Sequence, residues 1–498
     1  MTWRWLLILL FVIGGVKLTF FFLDPVPKFF FGDSACYIYC ATSDWIPEDR
    51  SFTYGFVIGP LIEWSGSLVP LLLLQLAASA GSALLLGFAL DRYFTVRRFI
   101  AWAAAILCSL EPIQLLYERY VMTETLSLFL FAAYVLAAFE YIRRRRVVVL
   151  AAVQILGALV VSLRVSYLPV VMLNTLLLPL LGMFQSRRTD VPENQEESDG
   201  SASAWRESRR RLGPVLHLAI SVVMMMALHG GLKELYSDLT GCPPGYHASE
   251  GFFLLATWAP LVIPEDFPLP EARSAVFDNP RFDLKDRHLR TEQLFEYAGL
   301  CWRIRFALAE YGGEDADTEK NGVANEIARS TAMNVLKRDP MGVVGLSLQT
   351  LADYFDVGLI RKVIENDLAM DDAQVAKYRE FVHDTSEVVP GPLHPDEQPL
   401  TLLKRYYRAM LPWYWLLLAI PIVSAGGVVL TQGLERLLAV ELFMLTTACV
   451  SVAGFLSVLP IVRYLHPVAW LAFYPLALVV DRRLRLLNRP RKRLLDVK

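Results

Sequence analysis

The chain has little cysteine, six in 498 residues, and no two of them stand as Cys-x-x-Cys. That scarcity excludes a disulfide scaffold as the basis of the fold. No His-x-x-x-His pair occurs either, which argues against a dedicated metal cage. Charge is sparse at 20% and almost balanced at net -2, so there is no general case for nucleic-acid binding. What the chain has in excess is apolar surface. Hydrophobic residues make up 55% and the mean hydropathy is +0.40, too apolar for a soluble protein of this length. The composition is that of a polytopic membrane protein.

A helix needs about 20 apolar residues to cross a bilayer. Runs of that kind lie near 3–23, 68–90, 99–117, 120–141, 147–163, 166–184, 214–232, 411–431, 438–459 and 466–481. The expectation is therefore an all-α polytopic membrane protein with about ten transmembrane helices. The first run is flanked by Arg4 and lacks a small-residue cleavage site, so it reads as a retained span rather than a signal peptide.

Basic residues set the expected sidedness. Arg92, Arg97 and Arg98 follow the second run, Arg143 to Arg146 the fourth, and Arg187, Arg188, Arg206 and Arg209 to Arg211 the sixth. Arg436 follows the eighth, and the tail carries Arg482, Arg483, Arg485, Arg489, Arg491, Lys492 and Arg493. All of these fall on one side if both termini are cytoplasmic. The loop 24–67, the turns near 118 and 164, the segment 233–410 and the turn 460–466 then face outward. The polar segment 186–212 reads as a disordered cytoplasmic linker, 213–232 as a single span, and 411–498 as the last spans with a basic tail. Segment 233–410 reads as a small, mainly helical extracytoplasmic domain. Its stretch from Met341 to Ile360 has roughly helical apolar spacing and should lie on the membrane or against the spans. Cys242 and Cys301 share this region and could pair there. Cys36 and Cys40, four apart on an expected helix, read as small apolar residues.

The outward ends of the spans collect polar residues that a plain anchor does not need. Asp33 opens the first loop at the edge of the hydrocarbon, with Phe29 to Phe31 before it and Tyr37 and Tyr39 after it. Glu124 begins the fourth span, where the helix dipole alone would favour an acid. Glu111 reads as a solvated span end, and Glu118–Arg119 as a surface pair. Arg164 and Arg463 stand in tight outward turns, where snorkelling to the interface would explain them. Lys17, the one clear charge within a span, reads as paired inside the bundle. Together these residues put at least two carboxylates and two or three guanidinium groups on one face. Carboxylates suit a general base and guanidiniums suit a phosphate. The set is that of a site for a lipid phosphate whose tail stays in the bilayer.

Gly32-Asp33-Ser34 with Tyr37, the Thr123-Glu124-Thr125-Leu126 entry to the fourth span, Arg164 with Leu168-Pro169, and Arg463-Tyr464 with Pro467 together resemble the GT-C membrane glycosyltransferases. The nearest branch is that of the dolichyl-phosphate-mannose-protein mannosyltransferases and the bacterial aminoarabinose transferase. The resemblance covers 1–185 well and the last three spans loosely. It implies a polyprenyl-phosphate-linked sugar as donor and a lipid, glycan or protein as acceptor. It implies transfer with inversion on the extracytoplasmic face of a bacterial inner membrane. Asp33 would be the general base and Glu124 would position the acceptor or assist it. Arg164, Arg463 and Arg119 would hold the leaving phosphate, and Tyr464, Tyr37 and Glu111 would line the substrate site. Ser34 stands where that pattern has a second acid, and the large outward segment lies between spans rather than at the end. The resemblance therefore leaves open the acceptor and a divalent cation, magnesium or manganese, as cofactor. A flippase for a lipid-linked glycan and a non-catalytic assembly protein remain as other classes.

Overall fold

The computed structural model describes residues 3–24, 27–30, 33–43, 45–186, 200–279, 284, 300–311, 318–367 and 402–495. The described residues form helices, with no strand and one isolated β-bridge, Lys28 to Tyr120. Helix α1 (Trp3–Leu23) leads to a short pair, α2 (Asp33–Thr42) and α3 (Thr53–Ser65). Then come α4 (Val69–Tyr93), α5 (Arg98–Ser109), α6 (Pro112–Tyr117), α7 (Glu124–Arg144), α8 (Val147–Leu163), α9 (Leu168–Ser186) and α10 (Gly200–Thr240). A middle block carries α11 (Glu250–Trp258), α12 (Pro270–Val276), α13 (Leu300–Tyr311), α14 (Thr318–Arg338), α15 (Pro340–Asp353), α16 (Val357–Asp367) and α17 (Leu402–Ala409). A 3-10 stretch, Leu411–Ala419, runs into α18 (Ile420–Leu430), followed by α19 (Gly433–Phe455) and α20 (His466–Leu495).

Among the described residues, eight helical stretches are long and apolar enough to cross a membrane: α1, α4, α7, α9, α10, Leu411–Leu430, α19 and α20. The protein is an all-α polytopic membrane protein. Two expected spans appear as shorter apolar helices, α5 with 12 residues and α8 with 17. The run 99–117 breaks because Pro112 starts a new helix and holds Glu111 extended, at ψ 128°. The Glu111 carboxylate then caps α6, accepting from Ile113 N at 3.1 Å and Gln114 N at 2.8 Å.

One apolar core joins α1, α4, α5, α7, α8 and α9 to α18, α19 and α20. A second core, with Phe252, Leu255, Ile304, Leu308, Ala328 and Val335, closes α11 to α14 into a small helical domain. Helix α15 lies against α19 rather than on its own. A Cβ on Gly454 would sit 2.9 Å from Ser347 O, so only glycine permits this approach. Thr350 Oγ1 donates to Ser457 O at 3.2 Å, and Tyr354 OH to Ile461 O at 3.0 Å. The apolar stretch from Met341 thus packs on the spans, and α15 and α16 meet at a sharp bend of 83°.

Several expectations change. Residues 187–199 of the expected linker lie outside the described residues, and helix has already begun at Gly200. Cys242 and Cys301 are buried in separate apolar clusters and form no disulfide with each other. Glu118 and Arg119 are not a surface pair: both are fully buried, 3.4 Å apart, because Glu118 turns inward to Lys17 Nζ at 2.9 Å. Lys17 is paired inside the bundle, as its position implied. It is not alone there, because Glu441 is fully buried within α19.

Candidate functional site

The site begins with the loop between α2 and α3. Asp33 is the first residue of α2, where the exposed N–H groups and the dipole favour an acid. Its two oxygens face two arginines, Arg50 Nη1 at 2.7 Å and Arg463 Nη1 at 2.8 Å. Arg50 is itself gripped by Asp49, with Nε on Oδ1 at 2.8 Å and Nη2 on Oδ2 at 2.5 Å. Burial by itself would weaken the Arg50 charge, but Asp33 and Asp49 outweigh it and hold the guanidinium more firmly protonated than usual. Burial likewise opposes the Asp49 carboxylate, and Arg50 overcomes it, keeping the group below the usual carboxylate range.

The loop is tied down on both sides. Thr53 Oγ1 donates to Ser162 O at 2.6 Å, and Ser51 Oγ donates to the same carbonyl at the end of α8. On the other side Ala248 N donates to Glu48 O at 2.7 Å, and Arg305 Nη2 meets Glu48 Oε2 at 2.8 Å. These bonds bring the helical domain over the loop.

The opposite wall comes from the ends of the long helices. Arg164 caps α8 in an extended conformation, φ -150°, before the chain turns into α9. Its Nη1 lies 3.1 Å from Glu124 Oε1 at the first residue of α7. Its Nη2 donates to Arg463 O at 3.4 Å, and its guanidinium lies 5.4 Å over the Tyr464 ring. Arg463 stacks over Phe30 at 4.5 Å, which orients its fork toward Asp33.

These residues line a cavity of about 370 Å³, with Asp33, Tyr37, Arg50, Glu124, Arg164, Arg463 and Tyr464 on one side. The helical domain supplies the other wall with His247, Glu250, Phe253 and Thr257. Burial pushes the Tyr37 hydroxyl up and Asp33 adds to it, so it stays a donor. Burial drives the His247 ring below its ordinary 6.5 and favours the neutral form, against the pull of Glu250 and Asp49. Pro169 and Leu456 belong both to this cavity and to an apolar groove of about 340 Å³ between α9 and α19. The groove is walled by Leu173, Phe443, Met444, Ala448 and Phe455, among others.

The chain matches no family model, no curated protein and no solved structure.

Six of the eight residues singled out from the sequence meet at this cavity: Asp33, Tyr37, Glu124, Arg164, Arg463 and Tyr464. Two do not. Glu111 is occupied capping α6. Arg119 is sealed away from the cavity, its Nε donating to Asp24 O at 3.0 Å and its guanidinium 5.1 Å over Phe21. The sequence reading missed Asp49, Arg50, His247 and Glu250. Arg50 had one available signal, being a lone arginine in the same loop as Asp33. His247 and Glu250 had none, since nothing local says that their turn covers the first loop.

Asp33, Asp49 and Glu124 each already face a guanidinium, and among the described residues no three His, Cys, Asp or Glu side chains converge as ligands.

Proposed function

We propose that the protein is an integral-membrane glycosyltransferase of the GT-C kind, moving a sugar from a polyprenyl-phosphate donor to an acceptor. The carrying observation is one cavity holding a carboxylate between two arginines, Asp33 with Arg50 and Arg463, and abutting an apolar groove in the bundle. A lipid phosphate fits such a place: its head meets the guanidiniums and its tail follows the groove between α9 and α19. Arg164 and Arg463 hold the phosphate in planar, forked contacts and stabilise the charge it gains as the sugar–oxygen bond breaks. Asp33 takes the proton from the attacking acceptor hydroxyl, and attack opposite the phosphate inverts the anomeric centre. Glu124 orients Arg164, and the wall of His247, Glu250 and Phe253 receives the acceptor.

The geometry also supports counting α5–α6 and α8 as crossings. Asp33, Glu124, Arg164, His247 and Arg463 share one cavity, so the chain returns to the same end of the bundle between each of them. With the eight longer helices this makes ten crossings, both termini in the cytoplasm and the cavity on the extracytoplasmic face of an inner membrane.

The test is transfer in nanodiscs from a polyprenyl-phosphate sugar. Asp33→Asn should lower the rate by roughly 10²–10⁴ while the melting temperature changes little. Full activity in that variant would remove Asp33 from the mechanism.

A further inference from the structure

Helix α15 has two faces that meet different surroundings. Met341, Leu348 and Phe355 recur every seven residues along one side and are 73%, 60% and 59% exposed, with Gly345 and Ala352 on the same stripe. The opposite side rests on the end of a span, where Ser347 O approaches Gly454 of α19. Just past α15, the Phe355 ring lies 5.5 Å from that of Trp415, in the first turns of the span Leu411–Leu430. Trp413 stands exposed beside it. Beyond the 83° bend, α16 exposes Arg361 and Lys362. A helix laid across the ends of two spans, apolar outward and flanked by aromatic and basic side chains, suits the boundary between hydrocarbon and headgroups.

The inner side reaches the site. Thr350 Oγ1 and Tyr354 OH tie both ends of the turn 457–461, at Ser457 O and Ile461 O. Within the turn Ser457 Oγ donates to Leu459 O at 2.7 Å, and Val363 of α16 packs on Val458 and Leu459. Ile461 O accepts twice, from Tyr354 OH and from Tyr464 N, both at 3.0 Å. The next turn therefore starts from a carbonyl that α15 holds, and it carries Arg463 and Tyr464 into the cavity. We infer that α15 is a strap between the bilayer and the site: lipid covers its outer face, and its inner face positions Arg463 through the turn 457–461. Tyr354 is then a positioning residue that acts through Ile461 O. The strap makes the bilayer a partner of the site, and its link to lipid phosphate rests on the function proposed above.

The test uses the full-length protein in nanodiscs. A nitroxide on Leu348→Cys should be relaxed by lipid-soluble oxygen more than by a water-soluble nickel complex. One on Ser274→Cys, exposed on α12, should show the reverse. The nickel pattern at both positions would put α15 in water and overturn the strap. Tyr354→Phe removes only the hydroxyl, so hydrogen exchange at the Tyr464 amide should rise about fivefold, the size of one lost hydrogen bond. Affinity for a long-chain polyprenyl phosphate should fall by a similar factor. Tyr414→Phe is the control, because that buried hydroxyl also donates to a backbone carbonyl, Tyr407 O at 2.9 Å, outside the turn. It should cost comparable melting temperature and leave both readouts unchanged. Equal effects of the two variants would reduce Tyr354 to a structural part and overturn its positioning role. Faster exchange with unchanged affinity would overturn the link to Arg463. If no form of the protein binds polyprenyl phosphate, the function proposed above falls, while the nitroxide and exchange results still decide the strap.

Discussion

Glu124 and Arg164 belong to different helices, yet Arg164 Nη1 stands 3.1 Å from Glu124 Oε1 with the two side chains only 10% and 3% exposed. A pair so buried gains little net stability from existing, because both charges lose their water. Breaking it is costly, because one charge is then left alone. Arg164→Met should destabilise the protein by about 3–5 kcal/mol, read as a fall in melting temperature. The double variant with Glu124→Gln should recover most of that stability and none of the transfer activity. Recovery of both would make Arg164 a structural strut with no part in holding phosphate.

Sidedness is checked by single cysteines introduced into exposed positions. Ser274→Cys on α12 and Arg146→Cys between α7 and α8 should react with an impermeant maleimide from opposite sides of sealed vesicles. Labelling of both from one side would overturn the ten-crossing arrangement.

Acid should loosen the contact between the first loop and the helical domain. His247 sits below its ordinary 6.5 in the folded protein, chiefly through burial. Above pH 6.5 it is neutral in both the folded and unfolded states, and its environment carries no penalty. As pH falls below that value the unfolded chain takes up the proton first, so folded stability is lost by up to about 1.4 kcal/mol per pH unit. Melting temperature measured between pH 7.5 and 5 should therefore fall less steeply in His247→Asn than in wild type. Equal slopes would show that other groups account for the acid response.

The sequence made the membrane class legible because spanning helices must be apolar along their whole length, and no other signal resembles that. It put Asp33, Glu124, Arg164 and Arg463 at the ends of apolar runs for the same reason, and these four meet at one cavity. What it could not convey was direction around the bundle. Arg119 and Glu111 stand at the ends of the same runs, yet one turns toward Asp24 and the other onto its own helix. Arg50 was hidden because Glu48-Asp49-Arg50 reads as an ordinary solvated turn until Asp49 is seen gripping it. Glu441 was hidden within an apolar run whose mean hydropathy absorbs one acid.

The first loop is held by groups that lie far along the chain: Ser162 O, Ala248 N and Arg463, the last of these 430 positions from Asp33. A ribosome delivers them in that order. While α4 to α10 are being inserted, Asp33 has only Arg50 for company. The loop can find its seat on Ser162 early and receives its cover with Ala248. Its second guanidinium arrives only with the turn before the last helix. The cleft is thus the final piece of the molecule to be completed. A chain cut short before Arg463 lacks the second guanidinium on Asp33 and also α20, whose Trp470 and Tyr474 fill the main core, so a ribosome that stops early leaves a product without its cleft and without a closed bundle.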